Sequence, residues 1–81
     1  MSKDFEIDGV KYSYEARVSG DYDKGMTQRI TVFNDAGSVG SKDDEATYGY
    51  PPRHHPAKAM EGIARVIARE IVAEQRKEQS Q

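Results

Sequence analysis

The pair Asp8-Gly9, with apolar residues alternating on both sides of it, constrains this chain more than any other feature. Both central positions of a type I′ turn need positive φ, and Asp-Gly is a preferred pair there. A two-residue turn at this point sets Ile7 opposite Val10 and Phe5 opposite Tyr12. It also puts Phe5, Ile7, Val10, Tyr12, Tyr14, Ala16 and Val18 on one face, with Glu6 opposite Lys11 and Asp4 opposite Ser13 on the other. A one-residue slip would expose the whole apolar set, so the pattern specifies its own register.

The segment Ser19-Gly20-Asp21-Tyr22-Asp23-Lys24-Gly25 reads as a loop of turn formers. A third strand follows over about Thr27 to Phe33, with Ile30 and Val32 on one face. Asn34-Asp35-Ala36-Gly37 is a further turn signal, and Ser38 to Lys42 reads as a short, weak edge strand. Asp43-Asp44-Glu45 and Tyr48-Gly49-Tyr50-Pro51-Pro52 then form a connector, the prolines holding the residues before them away from helical geometry. A helix is expected from Pro56, with Met60, Ile63, Ala64, Ile67 and Ile71 on one stripe at about 100° per residue. Val66 and Ala59 fall at its edge. Glu74 would fall on the apolar side, which predicts that the packed helix ends near Ala73 and that the tail frays. The fold class is α+β: an antiparallel meander of three to four strands with one C-terminal amphipathic helix packed on one face. One domain over residues 1–81 is expected, with strands within about 3–42, a connector at 43–55, the helix at about 56–73 and the tail at 74–81.

Composition excludes several chemistries. The chain has no Cys, which removes disulfides, thiolate zinc sites and cysteine nucleophiles together. It also lacks Leu and Trp, so the core must come from Ile, Val, Ala, two Phe and five Tyr. A core this small is often completed by a second subunit, and a homodimer is one expected partner state. No apolar run approaches the ~20 residues of a membrane span, and Met1-Ser2-Lys3-Asp4 is not the start of a signal peptide. No membrane partner and a host-cell cytoplasmic location are therefore expected. Phosphate-cradle and nucleophile-elbow motifs are missing. Asp21-Tyr22-Asp23-Lys24-Gly25 resembles the start of a calcium loop, but Gly25 and Val32 stand where ligands are needed. His54 and His55 are adjacent, and in an extended segment they would point opposite ways. No catalytic residue, cofactor or metal is expected, and the protein reads as a non-enzyme.

The charge is divided: residues 1–50 carry a balance of −4 and residues 51–81 one of +2. Loop carboxylates beside exposed tyrosines suit a protein interface. The candidate partner-binding set is Asp21, Tyr22, Asp23, Asp43, Asp44, Glu45, Tyr48 and Tyr50. Opposite the Ile stripe, Lys58, Arg65, Arg69 and Arg76 line up within a narrow arc, an alternative nucleic-acid-binding set. Glu61 and Arg65 have the spacing of a favourable helical ion pair.

The antiparallel sheet, the Gly37-Ser38-Val39-Gly40 edge, Tyr48-Gly49-Tyr50-Pro51 and the helix passing Arg69-Glu70 resemble the small phage-encoded anti-CRISPR proteins. The likeness is nearest to inhibitors of type I surveillance complexes and covers roughly the second half of the chain. It implies a stoichiometric, non-enzymatic inhibitor that occupies a nucleic-acid-binding surface of a bacterial defence complex. The rival expectation is a small nucleic-acid-binding or regulatory module that uses the basic helix face.

Overall fold

The computed structural model describes residues 3–21, 25–48 and 53–79. It has a four-stranded antiparallel sheet, order β1-β2-β3-β4, and one C-terminal helix, which is the expected α+β fold. The strands are β1 (Lys3–Ile7), β2 (Val10–Asp21), β3 (Gly25–Asn34) and β4 (Gly37–Glu45). A two-stranded ribbon of β5 (Thr47–Tyr48) and β6 (Arg53–His54) leads into α1 (Ala57–Gln79).

The first hairpin forms as its sequence dictates. Asp8 has φ 52° and Gly9 φ 81°, both in the left-handed region, and Ile7 pairs with Val10 and Phe5 with Tyr12. The Phe5 ring stacks on Tyr12 at 5.5 Å between centroids and meets Tyr14 edge-on at 5.8 Å. In the β3–β4 turn the Ala36 N–H donates to Asn34 Oδ1 at 2.8 Å, an Asx turn.

Tyr12, Tyr14, Ile30 and Val32 present one sheet face to Ala64, Ala68, Ile71 and Val72 of the helix, and these eight residues form the core. Phe5, Ile7, Val39 and Ile67 pack around it. The buried helical stripe is rotated from the expected one. Its centre runs through Ala68 and Val72; Ile63 is half-buried, and Val66 is 58% exposed. Gly40 explains how closely the helix settles, because a Cβ there would lie 3.2 Å from Ile71 Cγ2. Small residues, rather than the bulkiest ones, mark the line of contact.

Four further expectations are corrected. The loop expected at residues 19–25 is instead strand at both ends, with Asp21 pairing Gly25; Tyr22 and Asp23 lie outside the described residues. β4 extends to Glu45, so Asp43, Asp44 and Glu45 belong to a strand and not to a connector. The connector itself contains the β5–β6 ribbon. The helix does not stop near Ala73: Arg76 donates to Asp8 Oδ2 at 2.5 Å and to the Ile7 carbonyl at 3.0 Å, which ties its last turns to the first hairpin. Glu74 stays exposed and pairs with Lys42 at 2.5 Å. The helix opens at Ala57, beside the expected start near Pro56, whose carbonyl accepts from the Met60 N–H at 3.0 Å. Among the described residues no helix is long and apolar enough to cross a membrane.

Candidate functional site: the acidic end of the sheet

The β2–β3 hairpin closes at Asp21 and Gly25, and β4 finishes beside the start of β3, with Thr27 opposite Glu45. The chain continues along the same line, since the Ala46 N–H donates to the Met26 carbonyl at 2.8 Å before Thr47–Tyr48. Asp21, Asp44, Glu45 and Tyr48, far apart in sequence, therefore lie at one end of the sheet. Asp21 and Tyr48 are placed there by their backbone. Tyr50, like Tyr22 and Asp23, lies outside the described residues.

A β-bulge decides how the acidic run is presented. After Val32 the β3–β4 register shifts by one, so Val32 pairs with Gly40 and Arg29 with Asp43. Alternation then sends Asp43 and Glu45 to the helix-free face and Asp44, with Lys42, to the helix face. The three carboxylates do not form one patch.

Their charges are spent differently. Arg29 Nε donates to Asp43 Oδ1 at 2.8 Å and Nη2 to Oδ2 at 3.3 Å, a bidentate pair. This hydrogen bonding, with the attraction between the charges, raises the Arg29 pKa; the same hydrogen bonds lower that of Asp43. Asp43 is thus largely satisfied within the chain. Asp44 and Glu45 have no ion pair among the described residues. Asp44 is half-buried at the rim of a groove of about 770 Å³ between β4 and α1, floored by Ile63, Val66 and Ile67. Lys42, on the same rim, has its pKa raised chiefly by its hydrogen bond to Glu74. What this end offers is two carboxylates without an ion pair among the described residues, one on each face, beside an apolar groove. That chemistry receives Lys or Arg side chains. Among the described residues no cluster of three or more His, Cys, Asp or Glu side chains is placed to hold a metal ion.

The alternative basic set is divided by the structure. Lys58, Arg65 and Arg69 are exposed on α1 and have no ion pair among the described residues. Arg76 leaves the set, because its guanidinium is spent on Asp8 and the Ile7 carbonyl. Glu61 reaches Lys3 of β1 rather than Arg65. Arg29, which neutralises Asp43, was not readable from the sequence: a two-residue β3–β4 turn without the bulge sets it opposite Lys42.

Compared with protein-family models, curated proteins and solved structures, the chain has no significant match.

Proposed function

We propose that the protein is a non-enzymatic binding module that docks a basic protein surface through the acidic end of its sheet. The observation that carries this reading is the register, which brings Asp21, Asp44, Glu45 and Tyr48 of three strands to one end, where Asp44 and Glu45 have no ion pair among the described residues. Asp43 contributes by orienting Arg29 and not as a free charge. The resemblance to anti-CRISPR proteins supplies the specific form: occupation of a nucleic-acid-binding surface of a type I surveillance complex, whose Lys and Arg side chains the carboxylates would meet. The test is target-DNA binding by a purified type I surveillance complex with the protein added. Loss of DNA binding that Asp44→Lys with Glu45→Lys relieves, most visibly at low salt, supports the reading. Equal inhibition by that double variant removes the site, and no effect of the parent protein at micromolar concentration removes the target.

A second reading rests on Lys58, Arg65 and Arg69, exposed on α1 with no ion pair among the described residues. A nucleic-acid-binding module would shift DNA or RNA in a gel and lose that shift on Arg65→Glu, with a reduced salt dependence.

A further inference from the structure

Gln28 carries a chemistry at odds with its place in the core. On the helix face of β3 it stands in line with Ile30 and Val32, which are fully buried. Gln28 itself is only 3% exposed, yet its Nε2 has no hydrogen-bond partner. A buried amide donor left unsatisfied is costly and uncommon. An unbranched apolar side chain of the same length would fill this position without that cost.

The side chain lines a cleft of about 210 Å³ between the sheet and the first turns of α1. Tyr14, Met60 and Ala64 give the cleft apolar walls, and Phe5 holds the Tyr14 ring edge-on. Lys3 and Glu61 meet at its mouth as an ion pair, each about half exposed. The groove edged by Asp44 runs along the other flank of the helix and shares none of these residues. A dry cavity of about 150 Å³ takes up benzene. This cleft therefore has room for one ring with a small polar head.

From Gln28 and its cleft we propose a binding site for a small, uncharged, planar ligand that carries a primary-amide edge. The ligand's carbonyl oxygen accepts from Gln28 Nε2, its own N–H donates back to Oε1, and its ring lies against Tyr14, Met60 and Ala64. The cleft calls for no charge, because Lys3 and Glu61 neutralise each other at the mouth. A carboxylate head would meet Glu61, and an ammonium head would bring Gln28 Nε2 no acceptor. The site is separate from the acidic end of the sheet, and neither depends on the other.

Benzamide, benzoate and benzylamine have nearly one shape and three different charges, and serve as probes. Each is titrated into the isotope-labelled full chain, with the side-chain N–H2 signals of Gln28 as the nuclear magnetic resonance reporter. Benzamide should shift those signals saturably at roughly millimolar concentration, with the other two weaker by about tenfold or more. Gln28→Met keeps the length of the side chain and removes the amide. It should weaken benzamide binding by about tenfold or more and unfold at a urea concentration no lower than the parent's. The proposal is overturned by the lack of a saturable shift with benzamide, or by unchanged benzamide affinity in Gln28→Met. Tighter binding of benzoate or benzylamine overturns the uncharged class of ligand. A lower urea midpoint for Gln28→Met would mean that the amide is satisfied within the fold, and this too overturns the proposal.

Discussion

Two glycines show how opposite the demands on one residue type can be. Gly9 sits at φ 81° in the first turn, where an open surface surrounds it and only the backbone restricts substitution. Gly9→Val should therefore cost about 1–3 kcal/mol, read as a lower urea midpoint, because a β-branched residue resists positive φ. An unchanged midpoint would mean that the turn is not what fixes the hairpin. Gly62 is the reverse case, a helical residue with ordinary backbone and free space around it. Gly62→Ala should raise stability by about 0.5–1 kcal/mol through helix propensity alone. If it lowers the unfolding midpoint instead, glycine is needed there for a reason other than helix propensity.

At the scale of elements, the helix separates what periodicity can reveal from what it cannot. The spacing of Met60, Ile63, Ala64, Ile67 and Ile71 located the helix but put its inner side about 70° from the mean direction of Ala64, Ala68, Ile71 and Val72. The true centre line through Ala68 and Val72 was hidden, because alanine carries little hydrophobic weight and Gly40 on the sheet lets a small-residue face come close. Ile71→Ala should accordingly cost about 2–5 kcal/mol, while Val66→Ala, on the outer face, should stay within ~0.5 kcal/mol. Equal costs in urea unfolding would mean that Val66 is buried as deeply as Ile71, contrary to this packing. The first hairpin was fully legible, since its turn chemistry and its alternation agree. The presentation of Asp43, Asp44 and Glu45 was not, because it depends on one extra residue near Val39. That bulge moves Arg29 from opposite Lys42 to opposite Asp43, replacing a repulsion by a bidentate pair, and nothing local in the sequence marks it. The end of the helix was misjudged for a similar reason. Arg76 looks like a solvated charge until the Asp8 turn, 68 residues away, is brought beneath it.

Across the whole molecule, the ion pairs join separate elements and give stability a shape against pH. Lys3–Glu61 ties β1 to the helix, Arg76–Asp8 ties the first turn to its far end, Lys42–Glu74 ties β4 to it, and Arg29–Asp43 joins β3 to β4. Hydrogen bonding from Arg29 depresses the Asp43 pKa, so the folded chain binds this proton less readily than the unfolded one. Its contribution is present above the ordinary carboxylate pKa and disappears as pH falls through the depressed value. Lys42 is the mirror case. Its pKa is raised by Glu74, so its contribution is complete below the ordinary lysine value and disappears as pH rises through the elevated one. The melting temperature should therefore be flat near neutral pH and fall on both sides. Asp43→Asn should flatten only the acid limb and Glu74→Gln only the alkaline limb. Both pairs are exposed, so each change should be small and should shrink further in high salt. Thermal melts from pH 2 to 11 at low ionic strength read this directly. An acid limb that Asp43→Asn leaves unaltered would show that the Arg29–Asp43 pair does not hold in solution, and with it would go the counterion that sets Asp43 apart from Asp44 and Glu45.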